Sequence, residues 1–231
     1  MAETDYFAKY RAYFLSQKDH PLVGAAAHAP FVTLSRQAGG GAETIAHLLA
    51  GKLNANRKPD EQPWMVFDKN LISKMLEDHD LPQAISRLIR EDKDTTVQAL
   101  VGELLGLNPS MWTLFHHTSD TVLKLARLGR CIIVGRGGSI ITAKLKGGIH
   151  ARLVASEAVR VSHLKKYFNL DEKAAVKYLQ DNDAGRRRYM KANFDRDIDD
   201  PLLYHGVLNT GLLGFEETAD VLATMIAPKL V

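Results

Sequence analysis

The sequence predicts an α/β protein built on a five-stranded parallel sheet. Three observations carry that expectation. Short apolar runs recur along the chain with helical segments between them, the first run opens into a triple-glycine loop, and glycine and arginine gather where runs end. Parallel strands buried on both faces read as near-continuous apolar runs, and their connections are helical crossovers.

The first run, Phe31–Leu34, leads through Gly39, Gly40 and Gly41 into a helix over Glu43–Leu53, with Ile45, Leu48, Leu49 and Leu53 on one face. The second, Trp64–Phe67, precedes a helix over Asn70–Asp78. From Leu81 to Leu128 the pattern is all helix, in segments Leu81–Arg90, Thr95–Leu105 and Ser110–Leu128. Asn108-Pro109 separates the last two, because proline disfavours helix in the residue before it. The third run is Cys131–Val134 and the fourth is His150–Val154. After it, Ser156 suits an N-cap with Glu157 in the first turn, and a second helix begins near Asp171. Gly206–Leu208 is the fifth run, and a Gly214–Ile226 helix closes the chain. Ahead of the sheet, Tyr6, Phe7, Tyr10, Tyr13 and Phe14 share one helical face, and His20–Pro30 reads as a linker. Residues 1–29 are thus an N-terminal helical extension and linker, and residues 30–231 the main domain. So much aromatic surface packs on the core or on a second copy, which makes a homodimer plausible.

Bulk composition bounds the function. The 231 residues are 45% hydrophobic and 25% charged, as in ordinary globular chains. A net charge of +3 is too small to point to nucleic acid. No apolar run approaches the roughly 18 residues of a membrane span. The N-terminus has neither a basic n-region nor an apolar h-region, so the expected compartment is the cytoplasm. Cys131, inside an apolar run, reads as a buried thiol.

Ligands of parallel α/β sheets bind beyond the carboxyl ends of the strands. The loop after the first run places backbone N–H groups at a helix N-terminus, where unpaired donors and the helix dipole favour a phosphate. Ser35, Arg36, Gly39, Gly40, Gly41, Ala42, Glu43 and Thr44 are therefore candidate phosphate-binding residues. The loop departs from the Walker A pattern, G-x-x-x-x-G-K-S/T, since Arg36 stands for the first glycine and Ala42 for the lysine. Glu43 is expected to point outward and Thr44 to offer a hydroxyl. At the third run, Val134-Gly-Arg-Gly-Gly138 presents Arg136 among glycines, as suits a bidentate guanidinium–anion contact. Further on, Asp181-Asn-Asp-Ala-Gly-Arg-Arg-Arg-Tyr189 places Arg186, Arg187 and Arg188 near Asp183 as an anion clamp, which Arg160 is placed to join. Asp195–Asp200 is a polar turn: Asp200 occupies the position where a calcium loop needs glycine. His116-His117 lacks metal-ligand spacing, and no protein-held metal is expected.

Thr33-Leu-Ser-Arg-Gln-Ala-Gly-Gly-Gly41, Phe67-Asp-Lys-Asn-Leu-Ile72, Ile133-Val-Gly-Arg-Gly137 and Val207-Leu-Asn-Thr-Gly211 resemble, in order, the motifs of the cytidylate kinase-like family. That family is a branch of the P-loop nucleoside monophosphate kinases. The resemblance implies a P-loop NTPase-type three-layer fold with a helical NMP-binding insert (79–128) and an arginine-bearing lid (about 168–200). It implies that Gly39 to Thr44 hold the donor phosphates, that Asp68, Arg136 and Gly137 face the acceptor, and that Arg160 and Arg186 to Arg188, oriented by Asp183, close over the transferring group. The implied donor is ATP with Mg2+, and the acceptor is a nucleoside monophosphate such as CMP or another small phosphorylated molecule. Ala42 and Glu43 replace the family's more usual Gly-Arg, and Val134 stands where true cytidylate kinases have an aspartate. Arg36 is the residue expected to compensate. A phosphotransferase and a non-catalytic nucleotide sensor both remain open at this point.

Overall fold

Strand β1 (Phe31–Arg36) lies at the centre of the sheet, flanked by β3 (Cys131–Val134) and β4 (Gly148–Val154). The strand order is β2-β3-β1-β4-β5, with β2 (Met65–Phe67) and β5 (Gly206–Asn209) at the edges, and every pairing is parallel. The structure, a computed structural model, describes residues 30–55, 57–58, 61–68, 72, 111–135 and 137–230. The expected N-terminal aromatic helix, most of the helical insert and Arg136 lie outside the described residues.

The five strands fall where the apolar runs place them. The expected Asn70–Asp78 helix lies outside the described residues but for Ile72, and the periodic segments that the structure describes between the strands are helices. These are α1 (Ala42–Ala55), α2 (Met111–Leu128), the short α3 (Gly138–Ile141), α4 (Glu157–Phe168), α5 (Glu172–Phe194) and α6 (Thr210–Ile226). Ser156 caps α4 by accepting from Val159 N, and Asp171 caps α5 by accepting from Ala174 N at 2.7 Å. Between them Asn169 turns in the left-handed conformation, a backbone state that asparagine tolerates better than most residues. Within α6, Gly214 is non-helical at φ 77°, so its regular part starts where the sequence puts it. The Asp195–Asp200 stretch is the turn that ends α5: Asp195 is its left-handed C-cap, and Asp200 caps a 3-10 turn over Pro201–Leu203.

The main core lies on the α1/α6 face. Val32 and Leu34 of β1 meet Ile45 and Leu49 of α1 and Leu222 and Ile226 of α6, all fully buried. Lys52 adds ion pairs across the two helices, to Asp220 at 2.8 Å and Glu216 at 3.3 Å. A smaller cluster of Ala38, Val161, Leu164, Ala175 and Leu179 holds α4 and α5 to the glycine loop. Among the described residues, no helix is long and apolar enough to cross a membrane.

The other face of β1 is polar. Thr33 pairs in register with His150 and Ser35 with Arg152, and each pair is hydrogen-bonded at 2.9 Å. His150 is buried beside His205, ring centroids 5.0 Å apart, and the His150 backbone N–H donates to His205 Nδ1. Burial, reinforced by His205, pushes the His150 imidazole down to about 4. Cys131 is buried as expected, and desolvation drives its thiol upward.

Two measurements follow. Ile45→Ala removes a fully buried side chain and lowers stability by about 2–5 kcal/mol in urea denaturation. A histidine whose folded value is depressed contributes stability that is complete above its unfolded value. Stability is therefore full above about pH 6.5 and declines as pH falls toward about 4. His150→Gln flattens that acid-side slope in the same denaturation series.

Candidate functional site

The turn after β1 is held by its neighbours on every side. Gln37 N donates to Leu153 O at 3.0 Å, Gly40 N to Gln37 O at 3.2 Å, and Ala38 N to Asp183 Oδ1 at 2.7 Å. Gly39 and Gly41 take positive φ, 73° and 75°. A Cβ at Gly39 would meet Arg160 O at 2.8 Å, and one at Gly41 would run into the Phe215 ring at 2.3 Å. These two glycines are thus required by close packing against α4 and α6 as well as by backbone conformation. The first helical bond of α1 is Ile45 N to Gly41 O. Among the described residues, no acceptor meets the N–H groups of Gly39, Gly41, Ala42 or Thr44. Donors left without a partner among the described residues, at the positive end of a 14-residue helix, make a cradle of the kind that suits an anion.

The cradle opens into a cavity of about 470 Å³ bounded by Arg36 to Thr44, Asp68, Tyr167, Phe168, Tyr178, Asn182, Arg186 and Phe215 among others. On the polar face of β1 lies a second cavity of about 390 Å³, under α5. Its walls include Thr33, Ser35, Gly135, Gly137, Ser139, Tyr189, Met190 and Tyr204. Arg36, Asn182 and Arg186 line both. Arg36 leaves the end of β1 and lies against Gly135, whose φ is +88° and where a Cβ would sit 1.9 Å from Arg36 Nη1. Glycine after β3 therefore makes room for the guanidinium. Burial, together with the nearby charge of Arg186, pushes Arg36 down to about 10, against the pull of Asp68, Tyr178 and Glu43. It remains cationic at neutral pH.

Asp183 gathers three donors. Besides Ala38 N, it accepts from Arg160 Nη1 at 2.6 Å and from Arg186 Nη1 at 3.1 Å. Arg160 is buried and also donates to Ala155 O and Ala38 O, so it braces the loop against α4 and α5. The three consecutive arginines diverge, because successive residues on a helix point about 100° apart. Arg186 faces the cavities. Arg187 pairs with Asp199 at 3.1 Å on another side, and Arg188 is exposed and borders neither cavity.

The other sequence candidates divide between the two cavities. Asp68, Glu43 and Thr44 line the glycine-loop cavity, with Glu43 and Thr44 both exposed, while Ala42 is buried. Gly137 lines the second cavity at the start of α3, and Ser35 sits there hydrogen-bonded to Arg152 and to the Tyr204 hydroxyl. Sequence reasoning missed Arg152, Asp199, Tyr204 and Asn182. Arg152 is buried and bridges Ser35 to Asp199. The signal was a lone charge inside an apolar strand, Ala151-Arg152-Leu153. Asn182 was findable as the residue four before Arg186 on the same helix face. Among the described residues, no group of three or more His, Cys, Asp or Glu is arranged to hold a metal ion.

The chain thus folds as a five-stranded parallel α/β sheet with a glycine loop after its central strand. Residues 31–212 match the cytidylate kinase-like family, and the chain belongs to it. A crystal structure of an uncharacterized protein from Eubacterium ventriosum is similar at 16% identity and a TM-score of 0.62, over 85% of this chain and 98% of that one. TT1252 from Thermus thermophilus is similar at 13% identity and a TM-score of 0.46, over 86% of this chain and 97% of its own. No curated protein matches the chain.

The three-way contact at Asp183 yields a prediction. Asp183→Ala leaves the buried Arg160 guanidinium without its carboxylate and lowers stability by about 3–5 kcal/mol in urea denaturation. Arg188→Ala, an exposed control on the same helix, leaves the midpoint near that of the wild type.

Proposed function

We propose that the protein is an ATP-dependent phosphotransferase acting on a nucleoside monophosphate or another small phosphorylated acceptor. The observation that carries this reading is the shared wall. Two cavities, one beneath the cradle and one on the polar face of β1, meet at Arg36 and Arg186. Donor phosphates at the start of α1 and an acceptor in the second cavity would bring the reacting groups together beside two guanidiniums.

Phosphoryl transfer depends on positioning and on neutralising charge at the equatorial oxygens. An acceptor oxygen attacks the γ-phosphorus, the bond to the β,γ-bridging oxygen breaks, and ADP leaves. In this reading Arg36 supplies the charge that the Walker lysine supplies elsewhere, since Ala42 has no charge to offer. Arg186, its guanidinium held by Asp183, meets the transferring group from the α5 side. Asn182, four residues earlier, adds an amide at the same junction. Ser35 and Tyr204 furnish hydroxyls on the acceptor side. Magnesium prefers one or two carboxylates plus substrate phosphates, and Asp68, Glu43 and Thr44, which line the glycine-loop cavity, are the residues that would meet it there. The ion would offset phosphate charge when it arrives with the nucleotide.

A second reading, a nucleotide sensor without turnover, draws on the uncharged Ala42. A coupled ADP-release assay across a panel of nucleoside monophosphates separates the two. Turnover on at least one acceptor is expected, with Arg36→Ala and Arg186→Ala each lowering kcat by about 10²–10³-fold. Nucleotide binding with no turnover on any acceptor decides for the sensor.

A further inference from the structure

The glycine-loop cavity has a wall that the phosphates of a donor do not need. Among the described residues, the exposed large aromatics are Tyr167 at 61%, Phe168 at 61% and Tyr178 at 38%, and all three border this cavity. Phe168 at the end of α4 stacks on Tyr178 of α5 with ring centroids 6.2 Å apart and planes 29° from parallel. Tyr167 is linked to the glycine loop by a file of rings. It meets His163 at 6.4 Å, and His163 meets Phe215 at 4.8 Å, the ring that presses on Gly41. His163 Nδ1 lies 3.0 Å from Gly39 O, so the file is anchored to the cradle itself.

Aromatic faces left in water are unfavourable unless something covers them, and a nucleobase covers a ring with its own π-face. We infer that Tyr167, Phe168 and Tyr178 form a stacking shelf for the base of a nucleoside triphosphate whose phosphates lie at the glycine loop. This rests on the phosphate-binding reading above. The shelf shares one concavity with the N–H groups of the cradle, as a ligand with an anionic tail and a flat head requires. A stacking face carries no hydrogen-bond pattern, so it accepts adenine and guanine alike.

Calorimetry with ATP, GTP and inorganic tripolyphosphate, each with magnesium, separates head from tail. In a Tyr167→Ala/Phe168→Ala double variant, the ratio of ATP to tripolyphosphate affinity falls about 5- to 150-fold, the factor for one stacked base. Tripolyphosphate affinity stays at the wild-type level, which also shows that the variant is folded. Tyr167→Phe and Phe168→Tyr retain the wild-type ratio, and ATP and GTP respond together. A ratio unchanged in the double variant overturns the shelf and leaves the phosphate site standing. Failure of the wild type to bind tripolyphosphate and both nucleotides overturns the shelf together with the phosphate site.

Discussion

The contact between Asp183 and its three donors governs the shape of the site. A carboxylate on α5 accepts from the backbone of the glycine loop, from Arg160 on α4 and from Arg186 one turn along its own helix. Charge-assisted bonds of this kind are stronger than neutral ones, and the Asp183–Arg160 pair is largely shielded from water. A single residue therefore fixes how far α5 stands from the loop. That distance sets the height of the cavity on the glycine side. It also aims Arg186, whose guanidinium is pinned at one end and reaches the cavities at the other.

A parallel arrangement ties together the cavity on the polar face of β1. Arg152 projects from the polar face of β4 and joins Ser35 to Asp199, which in turn holds Arg187 of α5. The Tyr204 ring lies 6.0 Å from the Arg152 guanidinium, and its hydroxyl donates to Ile198 O at 2.9 Å and lies 3.2 Å from the Ser35 hydroxyl. Burying an arginine is costly, and here several partners offset the lost hydration. The result is a second strut from sheet to α5, one helical turn along from Asp183. Helix α5 is thereby tied to the β1 side of the sheet at two points along its length.

The sheet was legible because burial on both faces leaves little freedom in composition. Phe31–Leu34, Cys131–Val134 and the stretch ending at Val154 could be read directly, and all three are central strands. Helix starts at Ser156 and Asp171 were legible for a local reason, a side chain capping its own first turn. The site was only partly legible. Its glycines and Arg36 announce a loop after a strand, but the direction of each side chain depends on helical phase and on partners distant in sequence. Thus Arg187 and Arg188 look equivalent to Arg186 in the chain and diverge in space. Asp183 is 145 residues from Ala38, and no local pattern foretells that bond. The roles of Gly39 and Gly41 were half visible: the loop demanded glycine, while the pressure from Arg160 and Phe215 emerges only on folding.

The position of Arg36 carries a consequence for how this family member can change. In a Walker loop the essential cation sits on the helix, so loop and charge must be kept together. In the reading proposed above that cation is Arg36, at the end of the central strand and against Gly135. A lysine moved to so dry a place would tend to surrender its proton, whereas a guanidinium keeps its charge. On that reading positive charge becomes a property of the sheet. Ala42, buried at the start of α1, can then serve packing alone.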